Sequence, residues 1–250
     1  DAVVLARELT LEQVAGICAT VKKRSIRGPS GNLLRIETFI HGALCVSVSG
    51  KCYMSLANTG HSANRGDCFQ TCRRAYRVTD EQTGEELVID NKYVMSPADL
   101  CTVGIIDRLI QAGVSIFKIE GRGRSPDYVS RTVTVYRNAV DSVQNNTYSR
   151  EKIKQWTEEL KTVFNRNFWM DGYYLGKPMG EWSESYGSRA TEQKVFSGVV
   201  TNYYKKAKIA QFRIQDEPLR QGDRLMVLGP TTGCEVTEAE SVYVNDKPAA

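Results

Sequence analysis

Apolar positions recur with two periods along the chain, and the change from one to the other divides it. Val3, Val4 and Leu5 read as a strand already under way. Thr10 and Gln13 fit a capping box, in which each side chain satisfies a free backbone N–H of the other residue. Leu11, Val14, Ile17, Cys18 and Val21 follow at helical spacing. Gly28-Pro29-Ser30-Gly31 ends that pattern. Leu34, Ile36 and the run from Phe39 to Val48 predict a buried strand region interrupted by Gly42. Residues 57–75 keep neither period and read as a structured loop, of the kind that carries function in a compact domain. Arg77–Thr79 and Leu87–Ile89, around a turn at Gly84, predict a projecting hairpin.

Ser96-Pro97 offers an N-cap serine and a first-turn proline ahead of Asp99, which predicts a helix to Ala112 stopped by Gly113. Val114–Ile119 predicts a short strand ending in Glu120-Gly121-Arg122. Ser125-Pro126 repeats the start signal, and Val129, Val133, Tyr136, Val140 and Val143 form the expected buried stripe of the next helix. Strand and helix thus alternate over residues 1–147, an α/β pattern that predicts βα units around a parallel sheet. About four units fit, equal to the C-terminal half of a TIM-like (βα)8 barrel. Asn145-Asn146 and Ser149 mark a break, after which residues 148–190 read as a helical and aromatic linker with Trp156, Leu160 and Phe164 on one helix face. From Val195 the period becomes two, so residues 191–250 predict a small all-β barrel domain.

Composition narrows the function classes without choosing one. Hydrophobic residues at 41% and charged residues at 25% are those of a soluble globular chain. The net charge of +4 permits contact with nucleic acid, but no strongly basic stripe demands it. No apolar run reaches the roughly 18 residues of a membrane span. The opening DAVVLARELT lacks both a secretory pattern and an initiating Met, so the chain is expected to begin inside a larger protein.

The seven cysteines change the picture. They are odd in number and too sparse for a disulfide framework, and five of them follow the spacing Cys45-x6-Cys52-x15-Cys68-x3-Cys72-x28-Cys101. Thiolates bind soft metals and iron–sulfur clusters, so the grouping predicts such a site in an intracellular protein. Unconnected buried cysteines are the bland alternative, and the lack of a CxxC pair excludes an ordinary zinc ribbon or ferredoxin pattern. His41, four residues before Cys45, reads as a metal ligand, an acid–base group or a hydrogen-bonded strand residue; His61 reads as a solvated loop residue. Glu37, Lys118, Glu120 and Arg122 are charges in or at the ends of apolar strands, where active sites collect in a βα barrel and where structural ion pairs also occur. Arg65, Arg73 and Arg74 beside Cys68 suit bidentate contact with phosphate or carboxylate. Tyr203, Tyr204, Lys205, Lys206 and Lys208 form a basic-aromatic patch that suits nucleic acid, or a solvated edge strand.

The run Glu37-Thr38-Phe39-Ile40-His41-Gly42-Ala43-Leu44-Cys45 through Lys51-Cys52-Tyr53-Met54-Ser55 closely resembles the signature of the collagenase-like peptidase (U32) family. Asn64-Arg65-Gly66-Asp67-Cys68 with Cys72-Arg73, then Ser96-Pro97-Ala98-Asp99-Leu100-Cys101, then Lys118-Ile119-Glu120-Gly121-Arg122, match its later blocks in order. Tyr174–Ser188 and the β-rich tail look like the extension of its longer members, closest to the tRNA-hydroxylation branch. The resemblance implies either a collagenase-like, metal-dependent peptidase or an enzyme supporting 5-hydroxylation of wobble uridine in tRNA. The sequence offers no HExxH helix for the former, nor a nucleophile with an evident His–acid pair. It further implies a [4Fe–4S] cluster on Cys45, Cys52, Cys68 and Cys101, with Cys72 the alternative to Cys68. Zinc is the alternative occupant, with His41 as an added ligand, and a zinc-bound scaffold the third reading. Proton transfer falls to His41 and Glu120, with Lys118 and Glu37 beside them, and anion binding to Arg65, Arg122 and Arg73. The implied partners are tRNA, a small carboxylate such as prephenate as co-substrate and a second copy in a homodimer, in the cytoplasm and away from membranes.

Overall fold

The first local signal forms as its residues require. Gln13 N–H donates to Thr10 Oγ1 at 3.3 Å and Thr10 N–H donates to Gln13 Oε1 at 2.9 Å, so two otherwise unsatisfied donors at the helix start are used. The structure, a computed structural model, describes residues 1–86, 95–178, 181–184, 187–244 and 247–248. It divides into two compact units, one of residues 1–124 and 131–191, the other of residues 125–130 and 192–250.

In the first unit, strand β1 (Ala2–Val4) leads to helix α1 (Leu11–Lys23), and strand β2 (Arg35–Gly42) follows. Helix α2 (Met54–Thr59) lies within the cysteine-rich loop, which also contains two short 3-10 turns. Strand β3 (Asp99–Cys101), helix α3 (Ile106–Gln111), strand β4 (Ile116–Ile119), helix α4 (Pro126–Gln144), helix α5 (Arg150–Lys161) and strand β5 (Phe168–Met170) complete the order. The result is a mixed α/β sheet. β2 pairs parallel with β1 and with β4, and its end pairs antiparallel with β3, which in turn pairs parallel with β5. Val14, Cys18 and Val21 of α1, Ile36 and Ile40 of β2, and Val135, Tyr136 and Ala139 of α4 share one buried core.

Three expectations change. Ser96-Pro97 starts no helix: Pro97 bridges Trp182, residues 99–101 form β3 and the helix begins only at Ile106. Strand pairing on both sides of β3 outweighs the local N-cap preference. Ser96 instead accepts from Arg73 at 2.9 Å, and Asp99 is buried against Arg166. On α4, Val129 and Val133 are exposed, and the buried stripe is Tyr128, Thr132, Val135, Tyr136 and Ala139, one position round the helix. Residues 148–190 are no linker: Trp156, Leu160, Trp169 and Tyr174 are buried in the first unit's core, and the aromatic stretch supplies β5. The return arm Leu87–Ile89 of the expected hairpin lies outside the described residues, and its first arm bridges Thr79 to Glu86.

Among its described residues the second unit has three antiparallel pairs: β6 (Gly198–Tyr204) with β7 (Ile209–Ile214), β8 (Arg224–Gly229) with β9 (Gly233–Glu238), and β10 (Tyr243–Val244) with β11 (Lys247–Pro248). Tyr203 and Tyr204 are exposed on β6, and Lys205, Lys206 and Lys208 lie in the β6–β7 turn. Among the described residues no helix is long and apolar enough to cross a membrane.

Candidate functional site

The parallel strands β1, β2 and β4 end on the same side, and the polar residues that follow them meet there. Arg7, just beyond β1, spans three groups. It donates to the Cys45 sulfur at 3.7 Å, reaches the Glu120 carboxylate at 3.5 Å, and lays its guanidinium 3.9 Å from the centre of the Phe39 ring. Glu8 accepts from Ser49 N–H at 2.7 Å and from Ser49 Oγ at 2.9 Å, which fixes the turn between Cys45 and Cys52. Arg73 donates to the carbonyls of Leu44 and Pro97 and to Ser96 Oγ, tying the Cys72 segment to the start of the Cys45 loop. Arg122 donates to Gly66 O at 2.7 Å, and Phe69 N–H donates to Ser55 Oγ at 3.1 Å, holding the segment around Cys68 from both sides.

These ties bring four thiols into one neighbourhood. Burial pushes the Cys45 thiol up, Arg7 and Arg73 pull it down, and Cys68 and Cys52 push it further up. Cys72 is raised by burial first, opposed by Arg73 and reinforced by Cys68, Cys45 and Cys52. All seven cysteines are free thiols, in keeping with the absence of a disulfide framework in the sequence pattern. Among the described residues no three His, Cys, Asp or Glu side chains are closed into a metal-holding arrangement. The donor set nonetheless fits a soft metal or an iron–sulfur cluster by its chemistry, because Cys52 and Cys68 both act on the Cys45 and Cys72 thiols and Arg7 and Arg73 offset the charge those thiolates would carry. Loading such a group would release the protons that burial holds on Cys45 and Cys72.

Cys101 stands apart from this group. It is fully buried on β3 beneath α4, its thiol pushed up to about 11 by burial, with further influence from Val103, Tyr136 and Asp171. Cys72 lies on the segment that Arg73 draws against Leu44.

His41 is likewise committed to the core. A bulge between Phe39 and His41 in the β2–β4 pairing re-aims its ring toward α4, where Nδ1 meets Tyr136 Oη at 3.2 Å and Phe168 packs at 5.5 Å between ring centroids. Tyr136 Oη also meets Ile40 O at 2.9 Å and the Cys101 sulfur at 3.8 Å and accepts from Thr102 N–H at 3.0 Å, which places the His41 ring in a buried polar network. Burial, then the Arg124 charge, lowers His41 to about 3. It is therefore a neutral histidine enclosed in the core between Tyr136 and Phe168.

The remaining candidates are placed as follows. Lys118 and Glu37 pair across β4 and β2 at 3.2 Å, partly buried, with Lys118 5.3 Å from the Phe39 ring centre. Glu120 accepts from Arg122 N–H at 3.0 Å besides facing Arg7. Arg65 and Arg74 are exposed on the cysteine loop, and His61 pairs with Asp67 at 3.7 Å on its surface. Arg73 is held inside the loop by its bonds to Leu44, Pro97 and Ser96. Arg7, Glu8 and the Asp99–Arg166 pair were not read as site residues. Arg7-Glu8, a charged pair directly after an apolar strand, is the signal that marks the first two.

The family model described as Peptidase family U32 matches residues 1–184. A protein named "Collagenase" from Porphyromonas gingivalis is 49% identical over 242 residues, covering 97% of this chain and 58% of that protein. The "tRNA hydroxylation protein P1" of Bacillus subtilis is 31% identical over 251 residues, 98% of this chain and 56% of that protein. The "23S rRNA 5-hydroxycytidine C2501 synthase" of Escherichia coli is 43% identical over 141 residues, 56% of this chain and 20% of that protein. The chain thus spans somewhat more than half the length of the first two. No solved structure matches it.

Proposed function

Because the chain belongs to peptidase family U32 and its loops gather four cysteines, we propose that it serves pyrimidine hydroxylation in RNA, through a thiol-held [4Fe–4S] cluster. The carrying observation is the cysteine loop as Arg7, Glu8, Arg73 and Arg122 tie it down, with the Cys45 and Cys72 thiols both raised by Cys52 and Cys68. These four cysteines would hold the cluster, which when bound supplies one-electron chemistry; zinc would draw on the same thiols. Arg7 offsets thiolate charge and orients Glu120. Glu120, just past the end of β4, and the Lys118–Glu37 pair between β4 and β2 are the groups able to hold or move a proton. Arg65 and the outward part of Arg122 offer guanidinium groups to a small carboxylate such as prephenate. Wobble uridine of tRNA is the substrate this reading favours. The B. subtilis relative, named a tRNA hydroxylation protein and matched over 98% of this chain, supports tRNA as the class of substrate. Under the same reading the mixed sheet is the C-terminal half of a TIM-like barrel and the three hairpins form a small β-barrel domain, in a cytoplasmic protein.

A metal-dependent peptidase is the second reading, favoured by 49% identity to a protein named collagenase. Against it, His41 is enclosed in the core and the sequence offers no HExxH helix. The deciding experiment is nucleoside mass spectrometry of RNA from a deletion strain. Loss of a hydroxylated pyrimidine, restored by the full-length protein but not by Cys45→Ser, supports the RNA reading. Unchanged nucleosides, with gelatin cleavage that a chelator abolishes, would replace it with the second.

A further inference from the structure

Resting on the RNA reading, we propose that the outer face of the cysteine loop is the surface on which an unpaired stretch of RNA lies, with Tyr53 and Phe69 as stacking platforms. Both rings are large and open to solvent, Tyr53 63% and Phe69 53% exposed. Each directly follows a cysteine of the thiol group, Cys52 and Cys68. A base stacked on either ring would therefore sit beside the group that carries the chemistry.

The rings are held where they are by backbone ties. Tyr53 is the residue before α2, and Phe69 N–H donates to Ser55 Oγ inside that helix at 3.1 Å. The His61 ring lies against Phe69 at 4.9 Å between centroids, adding a third flat group. Platforms fixed in advance lose little freedom when a base stacks on them.

Charge on this face suits a polyanion. Lys51, Arg65 and Arg74 are exposed, while Asp67 is the one carboxylate within residues 51–77 and faces His61. Arg73, the inward member, is spent on the fold, so the outward cations are the ones left for phosphates. The acids that follow, Asp80, Glu81, Glu85 and Glu86, lie on the separate turn around Gly84. The second unit offers no comparable excess: within residues 192–250, eight Lys or Arg meet eight Asp or Glu. Aromatic rings interleaved with cations are the arrangement that binds single strands with little sequence preference, leaving base choice to the chemical centre.

The test is fluorescence anisotropy of the full-length protein with a labelled single-stranded oligouridylate at fixed salt. Tyr53→Ala and Phe69→Ala are each expected to weaken binding by about five- to a hundredfold, the range for loss of one base–aromatic stack. Phe69→Trp should restore it and Phe69→Leu should not, with the melting midpoint and metal content of all variants unchanged. If wild type binds and these variants bind equally well, or if only Lys205→Gln/Lys206→Gln/Lys208→Gln weakens binding, the surface is misassigned and the RNA reading stands. Lowered melting midpoints accompanying the loss would assign the rings to a protein contact and overturn the proposal. Tighter capture of denatured collagen than of RNA by these rings would overturn it in favour of a polypeptide. Failure of wild type to bind any RNA, with nucleosides unchanged in the deletion strain, would remove the RNA reading itself.

Discussion

Arg73 donates a hydrogen bond of 2.6 Å to the carbonyl oxygen of Leu44, the residue before Cys45. The same guanidinium holds Pro97 and Ser96, so one buried side chain joins the Cys72 segment, the Cys45 loop and the start of β3. Burial lowers Arg73 from its ordinary value, yet it stays a cation, and that cation draws the thiols of Cys45 and Cys72 down.

Arg73→Ala leaves three acceptors without their donor, and is expected to cost about 3 kcal/mol in urea unfolding. Arg73→Lys keeps the charge but cannot reproduce the planar fork. It should therefore recover only part of the stability and of the bound metal, measured as metal per chain.

Asp99 and Arg166 form a buried ion pair at 3.6 Å, with side chains only 3% and 9% exposed. Burial raises the Asp99 carboxyl against the pull of Arg166, Arg73 and Arg124. Removing one member strands the other, so Asp99→Ala should cost about 3–5 kcal/mol, and Asp99→Ala/Arg166→Met should cost less than the sum of the single changes. A double-mutant cycle by denaturant unfolding checks the coupling.

His41 gives the stability a pH dependence of known sign. Its folded value lies at about 3, whereas in the unfolded chain it takes a proton near pH 6.5. Between those values the unfolded state binds the extra proton, so stability falls as pH falls. From about pH 7 to about pH 5 this group alone removes about 2 kcal/mol. Asp99, whose carboxyl is raised, acts in the opposite sense at lower pH. In His41→Gln the drop measured by urea unfolding at the two pH values should shrink by about that amount.

Local chemistry was legible in the sequence and non-local pairing was not. The Thr10–Gln13 capping box involves residues three apart and forms as read. Ser96-Pro97 carries an equally good local signal, yet β2 and β5 claim the residues after it as a strand. β5 itself was invisible to periodicity, being three residues long between Asn167 and Asp171, both in the left-handed region at φ 63° and 66°. The same division runs through the site. Clustering along the chain singled out the five cysteines, but it did not show that Cys101 is buried on β3 while Arg73 folds the Cys72 segment back against Leu44. Arg7 lies 38 residues from Cys45 and 113 from Glu120, beyond the reach of any spacing rule.

The most direct measurement is iron and acid-labile sulfide per chain in full-length protein purified without oxygen, comparing wild type, Cys72→Ser and Cys101→Ala. A four-thiol centre on Cys45, Cys52, Cys68 and Cys72 predicts about four iron and four sulfide in wild type. Cys101→Ala should keep them despite losing some stability, and Cys72→Ser should lose them. A colourless wild type with stoichiometric zinc would contradict the cluster, and full iron in Cys72→Ser with none in Cys101→Ala would contradict the ligand set.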